Sequence, residues 1–353
     1  MTKKVYCGNV EIGGGAPISI QSMTNTDPHD PDAILEQIRA LEDAGCEIVR
    51  LTVPDMTAAE CLGAVKKEVR IPVIADIHFD HRLAIAAMEK GADKIRINPG
   101  NIGGAENTAR VIEAAKKHGV PIRVGVNSGS LERDILEKYR GVTAEGLVES
   151  ALRNVELLEK MNFHDIVVSI KSSDVVMNTK AYRLISSQCE YPLHIGVTEA
   201  GTRESGIIKS AVGLGALLMD GIGDTMRVSL TGDPVSEIIA AKKILSAAGM
   251  RKEAINLVSC PTCGRTKVDL VSIAEQVDKA LMKVGDKRSK DSKPPITVAV
   301  MGCAVNGPGE AKGADIGVAC GDGEGLIFAK GKIIKKADED QIIGELVSLA
   351  EKI

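Results

Sequence analysis

Residues 94–127 read KIRINPGNIGGAENTARVIEAAKKHGVPIRVGVN. A short β-branched run, Lys94 to Asn98, breaks at Pro99 and Gly100. An amphipathic stretch, Glu106 to His118, follows and stops at Gly119, and a second apolar run opens at Ile122. The spacing predicts a strand, a helix and a second strand parallel to the first. The same unit recurs from Ala16 to about Gly249. Its strand candidates are Pro17 to Met23, Glu47 to Val53, Val73 to His78, Lys94 to Asn98, Ile122 to Asn127, Ile166 to Lys171, His194 to Glu199 and Met226 to Leu230. The helices between them include Asp32 to Ala44, Thr57 to Glu68, Leu83 to Lys90, Glu106 to His118, Ala144 to Met161 and Ser236 to Ala248. Near-equal βα units with no switch point close into a (β/α)8 TIM barrel rather than an open doubly wound sheet.

After Gly249 the rhythm changes. Ile255 to Val258, Ile296 to Val300, Ala314 to Ala319 and Gly325 to Ala329 read as strands, with helices near Leu270 to Val284 and Asp340 to Lys352. The expected organisation is a barrel domain over 1–249 and a smaller α+β domain over 250–353. Gly285 to Pro295 (GDKRSKDSKPP) reads as a solvated loop.

The chain has 353 residues, 44% of them hydrophobic and 26% charged, with net charge -4. These values exclude disordered, collagenous and coiled-coil classes. No uncharged run is long enough for a membrane span and no apolar leader follows Met1, so the expected location is the cytoplasm, away from any membrane. Three Phe, four Tyr and no Trp on a mildly acidic chain argue against a nucleic-acid partner. Eight Cys without a secretion signal suggest ligands rather than disulfides.

Catalytic groups of a barrel sit where the strands end. Those ends carry Arg50, Asp76, His78, Arg96, Asn98, Arg123, Asn127, Lys171, Glu199, Arg227 and Ser229. One strand arginine is usually a salt-bridged surface group. Five strands each bringing a cation to one end are harder to explain in that way, because a charge between packed side chains must be paired or serve a ligand. Guanidinium forks, a lysine point charge and hydroxyl or amide donors are what a phosphate or diphosphate requires. Glu199 is the leading acid/base candidate, with Asp76 and His78 behind it.

The sharpest local signal is Cys260-Pro261-Thr262-Cys263, followed by Cys303 in Met301 to Ala311 (MGCAVNGPGEA). Structural zinc wants a further Cys or His, and no His follows His194. A redox pair would leave Cys303 idle. An iron-sulfur cluster accepts three thiolates with one iron held otherwise, and is the favoured reading. For that iron the candidates are Glu310 and Cys320, and Cys320 alternates with small apolar residues like a core thiol. A zinc-ribbon module fused to a phosphate-binding barrel, without redox chemistry, is the alternative.

CPTCGR and MGCAVNGPGEA, with ADIHFD, KIRINPGN and RVGVNSGSLE in the barrel, closely resemble the 4-hydroxy-3-methylbut-2-enyl diphosphate synthase family of the methylerythritol phosphate isoprenoid route, in its compact bacterial form. The likeness spans the whole chain. It implies reductive ring opening of 2-C-methyl-D-erythritol 2,4-cyclodiphosphate through a [4Fe-4S] cluster, with electrons from reduced flavodoxin or ferredoxin. Cys260, Cys263, Cys303 and Glu310 match the family's cluster ligands. Arg50, Arg96, Arg123 and Lys171 fall on its diphosphate grip, and Asn127, Ser229 and Glu199 complete the pocket. Glu199 and Glu310 are the residues assigned to catalysis.

The sequence also predicts a homodimer with shared active sites. The helix Ser236 to Ala248 returns the chain to the bottom of the barrel, while substrate waits at the top. From Gly249 to Cys260 the linker reaches at most about 40 Å fully extended. A head-to-tail dimer would place each cluster domain over its partner's barrel.

Overall fold

Eight parallel strands, alternating with helices, carry the first part of the chain: β3 (Ser19–Met23), β4 (Ile48–Thr52), β5 (Val73–Asp76), β6 (Lys94–Ile97), β7 (Ile122–Asn127), β8 (Ile166–Lys171), β9 (His194–Gly196) and β10 (Thr225–Arg227). The computed structural model describes residues 1–303 and 311–353, which divide into the units Met1–Arg251 and Lys252–Ile353. The first unit's sheet runs β8-β7-β6-β5-β4-β3-β10-β9. Val168 in β8 bridges Leu193, just before β9, in the parallel sense and closes the barrel. All eight expected strands are present. The seventh and eighth end earlier than expected, at Gly196 and Arg227, which leaves Glu199 and Ser229 in the loops above them.

The helices start where the sequence supplies a cap. Asp30, Asp55, Asp80, Thr143, Asp174 and Asp233 each accept a hydrogen bond from a first-turn N–H. These N-termini follow strand C-termini, so their dipoles add positive potential to that end of the barrel. Three helices go beyond those named from the sequence: Arg133–Tyr139, Val175–Ser186 and Arg203–Met219.

An antiparallel hairpin precedes the barrel, β1 (Val5–Cys7) with β2 (Val10–Ile12). Its Cys7 and Ile12 pack on Ile48 and Ile74 and plug the N-terminal end. The last residue of this unit is tied to the same end. Arg251 donates to the Ile18 carbonyl at 2.7 Å and to Glu47 at 3.0 Å, just ahead of β3 and β4.

The second unit is a five-stranded sheet, β11 (Ile255–Ser259), β12 (Ile296–Met301), β13 (Ile316–Cys320), β14 (Glu324–Ala329) and β15 (Lys332–Asp338), in that order. The first three strands are parallel and the rest antiparallel. Leu270–Lys290 and Ile342–Lys352 share a core with one face of it. The solvated loop expected at Gly285 to Pro295 is a correction: the helix runs on to Lys290, and Arg288 is buried. Its guanidinium donates to the carbonyls of Ala350 at 3.0 Å and Pro294 at 2.6 Å. Lys and Arg are good helix formers, and one Gly costs a helix only about 1 kcal/mol, too little to end it.

Candidate functional site

Residues paired across a ladder point to the same side, so the pairings Met23↔Arg50, Thr52↔Asp76, Asp76↔Arg96, Arg96↔Arg123, Asn127↔Lys171 and Gly196↔Arg227 place these side chains together inside the barrel. Arg123 is 1% exposed and Lys171 and Arg50 are buried. The buried Asp76 carboxylate lies 3.3 Å from Arg96 Nη1 and 3.7 Å from Arg50 Nε. Burial pushes that carboxyl up, but Arg50, Arg96 and Arg123 outweigh it and hold it at about 2. Glu237 sits 3.4 Å from Arg227 Nε and also accepts from Ser22 and the Leu230 backbone. Both carboxylates are thereby occupied.

Arg123 and Lys171 are left over. Among the described residues neither has a carboxylate within ion-pair distance, and Arg123 Nε and Nη1 have no partner. Burial first, and then the neighbouring guanidinium groups, pull both well below their usual range. Buried unpaired cations are costly unless an anion completes the site. Two glycines make the room: a Cβ on Gly125 would stand 2.6 Å from Arg96 Nε, and one on Gly196 3.0 Å from Lys171 Nζ. Arginine forks beside a lysine are matched to phosphate oxygens.

The polar groups nearest solvent stand at the end of β7 and in the loops. Asn127 and Ser229 are half-buried. Glu199 is exposed and held at φ 51°, a conformation that costs a non-glycine residue energy and is common at functional sites. His78 Nε2 stands 3.9 Å from Asp76 with its ring open to solvent.

In the second unit, register explains why motifs forty residues apart meet. Ser259 at the end of β11 pairs with Val300, so Cys260 and Cys303 leave neighbouring parallel strands on the same side. The Gly302 N–H donates to Cys260 Sγ at 3.1 Å. Cys263 is exposed, and the Arg265 backbone N–H and then the Arg265 charge lower its thiol, which favours the thiolate a metal needs. Cys320 is fully buried in the core, and burial pushes its thiol up to about 11, which fits packing rather than ligation. Glu310 lies outside the described residues. Among those described, no group of three or more His, Cys, Asp or Glu is drawn close enough to hold a metal. The donor chemistry, three cysteine sulfurs on adjoining loops, still suits iron and sulfide.

A family model described as the GcpE TIM-barrel domain matches residues 2–242, and one described as the GcpE protein C-terminal domain matches residues 256–352. The chain belongs to the GcpE family. It is 56% identical over 353 residues to the 4-hydroxy-3-methylbut-2-en-1-yl diphosphate synthase (flavodoxin) of Caldanaerobacter subterraneus subsp. tengcongensis, covering 100% of this chain and 97% of the relative. The synthase of the same name from Geobacter sulfurreducens is 54% identical over 352 residues, covering 100% and 98%. Among solved structures, dihydropteroate synthase from Stenotrophomonas maltophilia superposes with TM-score 0.52 at 14% identity, covering 70% of this chain and 98% of that one. A truncated 3-deoxy-D-arabino-heptulosonate 7-phosphate synthase from Thermotoga maritima gives 0.52 at 15%, covering 70% and 94%. These two share the fold. No helix among the described residues is long and apolar enough to cross a membrane.

The GcpE barrel holds further polar residues that the sequence reading passed over. Lys94 is fully buried with no partner for Nζ, and burial brings it down to about 8. His194 is fully buried, 3.4 Å from Lys171 through Nε2, and its Nδ1 has no partner. Glu237 and Tyr182 reach inward from helices. Lys94 and His194 carried a readable signal: they stand two residues before Arg96 and Gly196, on the inward side of their strands. Glu237 and Tyr182 carried none, since a helical residue does not announce that it enters a barrel.

Proposed function

We propose that this chain performs the reaction its relatives are named for, the reductive opening of 2-C-methyl-D-erythritol 2,4-cyclodiphosphate to 4-hydroxy-3-methylbut-2-enyl diphosphate and water. The observation that carries the reading is the pair of buried cations without carboxylates inside a closed barrel: Lys171, which ends β8, and Arg123, which stands near the start of β7 and not at the strand end expected from the sequence. A cyclic diphosphate supplies the missing negative charge. Arg50 and Arg96, aligned by Asp76, grip it from the neighbouring strands, while Asn127 and Ser229 fill remaining lone pairs. Held in this way, the substrate keeps one C–O bond in a fixed place, so binding energy becomes positioning. Glu199 provides the proton with which the departing oxygen becomes water.

Cys260, Cys263, Cys303 and Glu310 would hold a [4Fe-4S] cluster. When bound, such a cluster supplies electrons singly and an iron able to accept oxygen. Reduced flavodoxin or ferredoxin is the electron donor in this reading, and flavodoxin stands in the relatives' names. Full-length kinship with these synthases leaves the zinc-ribbon alternative without support. The active unit is a homodimer in which each cluster domain serves the partner's barrel. Arg251, bound at the bottom of its own barrel, supports that arrangement because the chain leaves its barrel far from the mouth.

Anaerobically purified protein tests the reading. Iron and sulfide at about four each per chain, with turnover of the cyclic diphosphate by reduced flavodoxin, is the expected result. One zinc without sulfide would refute it. Glu199→Gln should lower kcat at near-parent affinity, and a pure affinity loss would move Glu199 from proton transfer to binding.

A further inference from the structure

We propose that His194 is a positioning residue for Lys171: a neutral imidazole whose Nε2 accepts one N–H of the ammonium and fixes how that cation meets the diphosphate. The inference deepens the proposed reading of the barrel mouth and rests on it.

Three observations converge on this role. With the diphosphate bound Lys171 is an ammonium, which has donors only, so across the 3.4 Å to its Nζ it is His194 Nε2 that accepts, and the ring proton then lies on Nδ1. His194 is fully buried and that Nδ1 has no partner, whereas a histidine kept only for packing would have both nitrogens satisfied. Burial, and then Arg123, Lys171, Lys94 and Arg50, depress its pKa, so the ring is neutral. A carboxylate in its place would cancel the charge that a diphosphate needs, and a neutral acceptor steers the ammonium without cancelling it.

The backbone around the pair is also pinned. The Tyr182 hydroxyl donates to the His194 carbonyl at 2.6 Å and accepts from the Ile170 N–H at 3.2 Å. One phenol therefore fixes His194 and the residue before Lys171 together. Gly196 closes the other side, where any Cβ would meet Lys171 Nζ at 3.0 Å. The lysine end is confined between a small residue and an acceptor.

The test measures binding of 2-C-methyl-D-erythritol 2,4-cyclodiphosphate to anaerobic holoenzyme by calorimetry, together with kcat, for His194→Leu, His194→Gln, Lys171→Met and the His194→Leu/Lys171→Met pair. Leucine should weaken binding about tenfold or more with kcat within about threefold of the parent, the size of effect that one charged hydrogen bond carries. Glutamine, whose Oε1 can accept near the Nε2 position, should restore binding to within about threefold. The double variant should bind no more weakly than Lys171→Met alone. Parent-like binding by His194→Leu, equal losses in leucine and glutamine variants, or multiplying losses in the double variant would each overturn the proposal. If Lys171→Met itself binds like the parent, the diphosphate grip fails and this inference with it. That outcome is distinct from a failure of His194 alone. Should His194→Leu not fold, the ring's 15N shifts in the unaltered enzyme with the cyclic diphosphate bound decide: a proton on Nδ1 supports the role, and one on Nε2 refutes it.

Discussion

The guanidinium of Arg96 lies over Gly125 so closely that a Cβ on the glycine would stand 2.6 Å from Arg96 Nε and 3.1 Å from Nη2. Strand β7 gives up a side chain at that inward position so that a cation from β6 can occupy the space.

Gly125→Ala should therefore act on the substrate through Arg96. The obstructing atoms belong to the end of a flexible side chain, so the barrel can keep its fold while the fork is pushed away from Asp76 and the diphosphate. Affinity for the cyclic diphosphate should fall about tenfold to a hundredfold, the loss of one charge-assisted hydrogen bond of about 1.5–3 kcal/mol. Calorimetric binding together with a thermal melt checks this. Parent affinity, or a collapsed melt, would show that Gly125 serves something other than room for Arg96.

The cysteines separate by position. Cys260→Ser, Cys263→Ser and Cys303→Ser should each lose iron, sulfide and nearly all turnover, while Cys320→Ser, altering a thiol inside the hydrophobic core, should keep them. Glu310→Gln should be intermediate, because three thiolates still bind while the fourth iron loosens. Iron and sulfide assays on anaerobically purified variants read the outcome. Full iron in the Cys303 variant would end the assignment.

Lys94, Arg96 and Ile122 to Asn127 show how far the sequence alone reaches. Their β-branched runs and their place in a repeated βα unit were enough for the strands and the barrel, because that patterning is local, while Lys94, on the same strand as Arg96, was passed over. The pairing of those cations was not legible. Asp76 serves Arg50 and Arg96 from a neighbouring strand, and Glu237 serves Arg227 from the helix that follows, so what sets Arg123 and Lys171 apart is a fact of three-dimensional closure. The Cys260–Gly302 hydrogen bond belongs to the same class, since only the β11–β12 register brings the motifs together. Arg288 shows the reverse error: a charged run read as solvated holds a buried guanidinium, because the carbonyls that receive it come from the C-terminal helix and from Pro294.

Binding should take up a proton. Lys171 is held well below the usual lysine range by burial and then by Arg123, Arg50, Arg227 and Arg96, with neutral His194 as its hydrogen-bond partner. A bound dianion stabilises the charged form and raises the pKa again. Affinity is then fullest below the empty-site value and falls as pH rises from that value towards the bound-site value. Calorimetry over a series of pH values in buffers of different ionisation heat should show net uptake between the empty-site and bound-site values, and Lys171→Met should abolish it. Uptake that persists in Lys171→Met would assign the proton to another group, with Lys94 the next to examine because burial already brings it to about 8.

The shared-site dimer gives the most demanding test. Arg251 fastens the end of the first unit to the Ile18 carbonyl and Glu47, at the N-terminal end of the barrel, whereas Lys171 ends β8 at the opposite end. The second unit begins at Lys252 and its first strand at Ile255, so Cys260 follows within a few residues, most of them already committed to β11. In the proposed dimer the two-fold partner's cluster domain serves the mouth. Cys263→Ser lacks a cluster ligand and Arg123→Ala lacks part of the grip, and each should be inactive alone. Co-expressed, half the dimers are mixed, and each mixed dimer holds one barrel and one cluster domain that are both intact and face each other. Turnover should recover to about one quarter of the parent. With mixed dimers isolated by two different affinity tags, no recovery would place the whole site within one chain.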